Sequence, residues 1–83
     1  MQLTFGDVLK ELKAGKKATR LGWNGRGIFI ELQVPDLNSK MTRPYIFIDT
    51  TGLRTENSAA PLCRVPWQAS QTDMLAEDWH LVD

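Results

Sequence analysis

The first apolar residues of the chain have the spacing of an amphipathic helix. They recur at intervals of three or four, at Phe5, Val8, Leu9 and Leu12. Thr4 and Asp7 have the spacing of a capping box, and Gly15 is typical of the residue that ends a helix. We therefore expect a helix over residues 5–14 whose apolar face closes a core.

The next segment has the pattern of a β-hairpin. Two strand-like runs flank Asn24-Gly25, and Asn-Gly favours a two-residue turn. Such a turn fixes the register of the two strands, and the expected partners are Trp23 with Arg26, Leu21 with Ile28, and Thr19 with Ile30. The other face would carry Arg20 beside Phe29, and would be either solvated or covered by something outside the chain.

The remainder of the chain predicts more short strands and a second, shorter helix. Residues 44–49 form a continuous apolar run that indicates cover on both sides, and residues 53–55 could pair back as a short fourth strand. Pro66 places the strand at 63–67 at a sheet edge, Ser70 begins one or two helical turns, and residues 78–82 form a last strand. We therefore expect an α+β fold: a small antiparallel sheet of about four to six strands with an N-terminal helix and a short C-terminal helical turn.

Composition limits the class of protein. The 83 residues, 42% hydrophobic and 24% charged, fit a single domain over residues 1–83. A chain this small buries a thin core, and its one cysteine, Cys63, cannot form an internal disulfide, so we expect a homo-oligomer. Ten basic residues balance ten acidic ones, which disfavours binding to a nucleic acid polymer. The sequence has no apolar run of about 20 residues and no signal-peptide pattern, which indicates a cytoplasmic protein without a membrane partner.

The candidate catalytic and metal-binding residues do not match the sequence patterns of known catalytic or metal sites. Ser70, Asp73 and His80 supply the residue types of a hydrolytic triad, but no nucleophile elbow surrounds the serine. The glycines near residue 25 lead into a strand instead of a helix, which argues against a phosphate-binding loop and favours close backbone approach at Gly22 and Gly27. No metal or cofactor is expected, and we interpret the chain as a binding protein and not an enzyme.

The aromatic and polar residues outside the predicted core fit a small nucleotide. Trp79 belongs to the core, whereas Trp23 at the hairpin tip and Trp67 after Pro66 would offer faces for base stacking. Nearby arginines would neutralise phosphates, and amide or carboxylate side chains would contact base or ribose edges. The predicted ligand-binding residues are Arg20, Trp23, Asn24, Arg26, Phe29, Arg64, Trp67, Ser70, Gln71 and Asp73.

Two motifs in this sequence resemble one known family. The first runs Phe5-Gly6-x-x-Leu9-x-x-Leu12-Lys13-x-Gly15-Lys16-Lys17-x-x-Arg20-x-Gly22-Trp23-Asn24-Gly25. The second runs Pro66-Trp67-x-x-Ser70-Gln71-x-Asp73-x-Leu75-Ala76-x-Asp78-Trp79. In this order they are similar to the small phage-encoded Thoeris anti-defence proteins, while the middle of the chain shares with them only its strand-rich character.

The resemblance implies a sponge. Members of that family sequester cyclic ADP-ribose isomers (the glycocyclic type) made by a bacterial immune sensor, hold them unhydrolysed in the cytoplasm of the infected bacterial host, and assemble as homotetramers with ligand pockets between subunits. Some relatives trap cyclic dinucleotides at a second site, and the resemblance leaves open whether this chain does. Two alternatives also stay open: a nucleotide-processing enzyme, and a phage structural or protein-interaction module.

Overall fold

The computed structural model describes residues 2–23 and 26–82 of the chain. The predicted α+β class and the strand number are confirmed, because these described ranges contain two helices and five strands. In chain order they are α1 (Phe5–Lys13), β1 (Lys17–Arg20), β2 (Phe29–Gln33), β3 (Tyr45–Asp49), β4 (Arg64–Pro66), α2 (Gln71–Leu75) and β5 (Trp79–Val82).

The strands form one antiparallel sheet in the order β4-β3-β2-β1-β5. The C-terminal strand therefore returns beside β1, while β4 forms the opposite edge. Pro66 lies in this edge strand, as predicted, because proline lacks the N–H that an inner strand must donate. Leu3 extends the other edge, since its N–H donates to the Trp79 carbonyl at 2.7 Å.

Local signals determine where the helices begin and end. The predicted capping box of α1 is present: the Asp7 N–H donates to Thr4 Oγ1 at 3.3 Å, and the Thr4 N–H donates to Asp7 Oδ2 at 3.1 Å. Gly15 follows the helix with a φ of 89°, a left-handed conformation that glycine adopts easily. Ser70 and Asp73 form a second capping box at the start of α2.

The core lies on one face of the sheet, beneath α1. Its buried residues come from three kinds of element: Val8 and Leu12 from the helix, Ala18 and Ile30 from the inner strands, and Trp79 from the edge strand. Around Trp79 lie three further aromatic rings, those of Phe5, Trp23 and Trp67, with centroid separations of 5.2–6.2 Å in the recorded pairs. The assignment of Trp79 to the core is confirmed.

The predicted hairpin register is wrong by one residue. Ala18, and not Thr19, lies opposite Ile30, and β1 ends at Arg20. The physical reason is that the chain follows Asp78 beyond Arg20: the Leu21 N–H donates to the Asp78 carbonyl at 3.2 Å and the Gly22 N–H donates to Asp78 Oδ2 at 2.7 Å. A shift of one residue exchanges the faces of a strand. The predicted Asn24-Gly25 turn lies outside the described residues.

This shift also corrects the predicted pairing of Arg20 with Phe29. Arg20 lies opposite Trp79 of β5, so it points to the helix side of the sheet, whereas Phe29 points to the other side. Phe29 shares that side with Phe47 and Tyr45, and no helix among the described residues covers it. We call this surface the uncovered face.

The structure also corrects the prediction of a short strand at residues 53–55. Among residues 2–23 and 26–82 this segment pairs through Arg54 alone, in an isolated antiparallel bridge to Arg26. The bridge stops there because Gly27 bends away with a φ of 87°, which interrupts the extended backbone that a longer ladder needs.

Candidate functional site

An open cleft of about 510 Å³ lies at the edge of the uncovered face. It forms where β1, β2 and β5 meet the two loops that contain Arg26 and Arg54. Its lining residues are Thr19, Arg20, Leu21, Arg26, Gly27, Ile28, Phe29, Arg54, His80 and Val82. The strands supply a fixed floor, and the loops supply the charged rim.

The described lining combines apolar surface with positive charge. Phe29 and Ile28 give it an apolar part, the exposed Arg26 and Arg54 give it positive charge, and the set contains no Asp or Glu. Lys17 Nζ lies 4.9 Å from the centroid of the Phe29 ring, so a planar group that stacks on Phe29 shares the ring with this ammonium. Such a surface favours an anionic ligand that also carries a flat ring.

His80 reaches the cleft from the edge strand. It lies on the face of β5 opposite Trp79, and its Nδ1 atom is buried without a hydrogen-bond partner among the described residues. A buried polar atom usually has a hydrogen-bond partner, so this nitrogen is an atom to which a molecule in the cleft could bond.

The two loops that border the cleft are joined through their backbones. The Arg54 N–H donates to the Arg26 carbonyl at 2.9 Å. Beside this bond, a Cβ atom on Gly27 would collide with the Gly52 carbonyl, and the φ of Gly27 is 87°. The predicted close backbone approach at Gly27 is thus confirmed. Position 27 requires glycine both because a Cβ has no room there and because the φ is positive.

A part-buried ion-pair cluster lies around Arg20 on the helix side of the sheet. Arg20 donates from Nε to Asp78 Oδ1 and from Nη1 to Asp73 Oδ1, each at 2.8 Å. The side chains of Arg20 and Asp73 are both 13% exposed, which limits screening by water. The hydrogen bond from Arg20 is the main cause that lowers the pKa of Asp78, and its counterpart raises the pKa of Arg20. Both charges of the pair are therefore retained at neutral pH.

Asp73 also holds Trp23 and α2. Trp23 Nε1 donates to Asp73 Oδ1 at 3.0 Å, and Ser70 Oγ donates to Asp73 Oδ2 at 2.9 Å. Burial of Asp73 acts most strongly on its pKa and raises it, but the hydrogen bonds from Trp23, Arg20 and Ser70 together lower the pKa below its usual value. The carboxylate therefore remains ionised.

This cluster corrects the expected location of Trp23. The residue is half-buried and packs against the core, with its ring centroid 5.2 Å from that of Trp79, instead of standing away from the core at a hairpin tip. Its role as a ligand residue stays a prediction, because no ligand contact is observed.

The same cluster fixes the start of the loop that borders the cleft. The Gly22 N–H, two residues after Arg20, donates to Asp78 Oδ2 at 2.7 Å. A Cβ atom on Gly22 would lie 2.9 Å from that carboxylate oxygen, so the glycine permits the contact, as expected from the sequence. The Asp78 carboxylate therefore connects β5 to the loop and sets the direction in which the loop leaves β1.

The predicted site residues separate into several locations. Arg20, Arg26 and Phe29 line the cleft. Arg20 also belongs to the ion-pair cluster with Trp23, Ser70 and Asp73, and Trp67 packs edge-on against the ring of Trp23. Three predicted residues lie elsewhere: Arg64 beside Asp49 in a smaller depression of about 190 Å³, Gln71 exposed on α2, and Asn24 outside the described residues.

Two titratable residues of the cleft, Arg54 and His80, were missed by reasoning from sequence. Arg54 lies far from Arg26 in the chain, and its signal was the short strand expected at residues 53–55, which correctly indicated pairing but not the partner. His80 was considered from the sequence as a member of the hydrolytic triad that was rejected. The alternation of β5 places it opposite the buried Trp79, and that pattern could have assigned it to the uncovered face.

The geometry does not assemble the triad that was considered from sequence. Ser70 and Asp73 bond to each other as a helix cap, and His80 lies on the other face of β5. Within residues 2–23 and 26–82, no group of three or more His, Cys, Asp or Glu side chains could hold a metal ion. No helix in the same ranges is long and apolar enough to cross a membrane.

Comparison with known proteins confirms the resemblance found at the two motifs. A family model described as the Thoeris anti-defense 2-like domain matches residues 3–82. The chain is also similar to the protein "Thoeris anti-defense 2" of Bacillus phage SP01, with 32% identity over 94 aligned residues that cover 98% of this chain and 96% of that protein. The likeness therefore includes the middle of the chain.

Proposed function

The chain belongs to the Thoeris anti-defense 2-like family, and from that premise we propose that it is a phage anti-defence sponge. In this proposal a single ligand-binding domain captures cyclic ADP-ribose isomers of the glycocyclic type in the cytoplasm of the infected bacterial host. The captured signal no longer reaches the effector that it activates. The family supports the anti-defence role, and the ligand class is our extension.

The observation that carries the proposal is the composition of the cleft. Arg26 and Arg54 supply positive charge, Phe29 supplies an aromatic face, and the described lining contains no carboxylate that would repel a phosphate. Cyclic ADP-ribose isomers combine an adenine ring with a diphosphate, which are the two chemical groups that such a surface attracts.

Sequestration sets a requirement on affinity. Each site acts once, so a signal at submicromolar concentration must be bound with a Kd in the nanomolar range, about −12 kcal/mol. An enzyme would instead need a positioned base or nucleophile and preferential binding of the transition state. In the described cleft the side chain able to act as a base is His80, and no hydroxyl or thiol is hydrogen-bonded to it.

We also propose that the sponge is a homotetramer. The uncovered face carries the half-buried rings of Phe29, Tyr45 and Phe47, which no described helix covers, and the core of one chain is small. Burial of this face between copies would supply stability that the single chain lacks.

We also propose a second site, for cyclic dinucleotides, at the smaller depression beside β4. The smaller depression beside β4 brings together Tyr45, Phe47 and Arg64, two aromatic rings and a cation. The Arg64 guanidinium is already paired with Asp49, with Nε 2.8 Å from Oδ2, so this depression offers less uncompensated charge than the cleft.

Recovery of the ligand tests the function and its alternatives together. We would incubate the protein with an extract of cells that contain the activated immune sensor, isolate it, denature it and identify the released small molecules by mass spectrometry. The sponge predicts an intact cyclic ADP-ribose isomer. Release of a converted product would favour the nucleotide-processing enzyme, and the absence of any small molecule would favour the interaction module.

A further inference from the structure

Arg26 and Arg54 lie directly opposite each other in an isolated antiparallel bridge. Directly opposite residues in such a pair have Cβ atoms about 4.5–5.5 Å apart and point to the same face. Like charges in this position repel each other and destabilise the pair. The backbone nevertheless holds them together, because the Arg54 N–H donates to the Arg26 carbonyl at 2.9 Å.

The residues around the bridge prevent the two arginines from moving apart easily. Gly27 follows Arg26 with a φ of 87°, and its Cα lies so close to the Gly52 carbonyl that no side chain would fit between them. The two loops are therefore in contact at the backbone level, and this contact holds the two arginine side chains next to each other where they leave the backbone.

Neither arginine has a carboxylate partner within residues 2–23 and 26–82. Arg20 and Arg64, in contrast, each bond to an aspartate at 2.8 Å. Arg26 and Arg54 are both exposed and both line the cleft. Two adjacent cations without described counter-charges are most stable when an anion lies between them.

We propose that Arg26 and Arg54 form an anion clamp that binds the diphosphate group of a small nucleotide. Two guanidinium groups on one face match two adjacent phosphates, each of which presents oxygens to a planar fork of N–H donors. Phe29 borders the same cleft and receives the attached ring. The clamp deepens the proposed function and depends on it only for the identity of the complete ligand.

The charge of the whole chain favours a small ligand over a polymer. The formal net charge is zero, so little positive potential remains beyond the clamp to attract a long phosphate backbone. The clamp therefore acts locally on a single diphosphate.

Inorganic pyrophosphate is the probe for this clamp, with inorganic phosphate for comparison. We expect pyrophosphate to bind the wild-type protein more tightly than phosphate does, by calorimetry at low salt. Arg26→Gln and Arg54→Gln should each weaken pyrophosphate binding about 10- to 100-fold, because each removes charge-assisted hydrogen bonds. Arg43→Gln is the matched control: it removes the same charge from an exposed arginine outside the cleft and should change binding less than twofold.

A second measurement separates a clamp from a structural role. Glutamine keeps the backbone bond between the loops, so the thermal midpoint of each variant without ligand should equal or exceed that of the wild type, since repulsion has been removed. Pyrophosphate should raise the midpoint of the wild type and of the Arg43 variant, but not those of the clamp variants.

Equal pyrophosphate binding by all three variants would overturn the clamp, and so would a lower midpoint of Arg54→Gln together with unchanged binding. Tighter binding of a single-stranded oligonucleotide than of pyrophosphate would contradict the small ligand. If pyrophosphate binds through the two arginines but no cyclic nucleotide is retained, the clamp is supported and the sponge function is contradicted. If the clamp variants retain the cyclic nucleotide as well as the wild type does, the sponge function is supported and the clamp is contradicted.

Discussion

Asp73 joins four parts of the chain through one side chain and its own backbone. Its carboxylate accepts hydrogen bonds from Arg20 of β1, Trp23 of the loop and Ser70 at the start of α2. Its backbone carbonyl accepts a bond from Trp79 Nε1 at 3.0 Å. Residues that look like ligand contacts in the sequence therefore have a structural use in the interior. The cluster fixes the loop from which the cleft is built.

A substitution of Trp23 tests whether this residue mainly stabilises the fold or mainly binds the ligand. Trp23→Ala removes a half-buried ring and its bond to Asp73, so we expect the free energy of unfolding to fall by about 3 kcal/mol. Leu37→Ala, at a fully exposed loop residue, should change it by less than about 0.5 kcal/mol. Chemical denaturation of both variants measures this. A small loss of stability together with a large loss of ligand affinity would return Trp23 to the ligand-binding role predicted from sequence.

Asp49 provides a prediction about pH. Its buried carboxylate accepts bonds from the Thr51 hydroxyl at 2.7 Å and from Arg64 Nε at 2.8 Å, and the Thr51 hydroxyl is the main cause that lowers the pKa of Asp49 from 3.8 to about 2. A carboxyl whose pKa falls on folding stabilises the protein above pH 3.8, and this contribution is lost as the pH falls toward 2.

The Asp49 prediction is measured by following the side-chain carboxyl by NMR during an acid titration. Its midpoint should lie near 2 in the wild type and should rise in Thr51→Val, which removes the hydroxyl donor. Thr55→Val, at a hydroxyl that bonds only to the Asn57 backbone, should leave it unchanged. A wild-type midpoint at the ordinary value for aspartate would show that these bonds do not form in solution.

At the scale of elements, helices were predictable and the hairpin register was not. Both helices carry their capping boxes within four consecutive residues, so local sequence determines where they start. The register depends instead on Asp78, which bonds to Arg20 and Gly22 from the other end of the chain. Asn24-Gly25 alone favours a two-residue turn. No residue near it in the sequence indicates that Asp78 will bond to Arg20 and Gly22.

The loop contact beside the cleft gives a prediction with a matched control. Gly27→Ala places a Cβ against the Gly52 carbonyl at a positive φ, so we expect a loss of roughly 2 kcal/mol or more in stability and weaker ligand binding. Gly15→Ala has a similar φ of 89° but open space around it, so it should cost about 1 kcal/mol and leave binding unchanged. Equal effects of the two variants on ligand affinity would show that the loop contact does not shape the cleft.

For the whole molecule, the sequence predicted part of the candidate site. Arg26 and Phe29 were found because each lies in a segment whose strand character was clear, and both line the cleft. Arg54 could not be located, because only the folded chain brings its loop beside Arg26. The cover expected on both sides of β3 is present on one side only, since no described helix lies over Tyr45 and Phe47.

That uncovered face leads to a prediction about assembly. Light scattering at micromolar concentration should give a mass four times that of the chain, because copies bury the aromatic side chains of this face. Phe47→Lys should shift the protein toward smaller species while circular dichroism still reports the fold, because a charge is costly inside an interface. A monomer for the wild type would contradict the tetramer.

Direct titration of a purified cyclic ADP-ribose isomer tests the central claim most closely. Calorimetry should give a Kd in the nanomolar range for the wild-type protein, and mass spectrometry after denaturation should return the ligand unchanged. Arg43→Gln, outside the cleft, should bind as the wild type does, and the double variant Arg26→Gln/Arg54→Gln should bind at least 10-fold more weakly. The sponge is contradicted if the wild type shows no saturable binding below micromolar concentration, or if the recovered molecule has been converted to another compound.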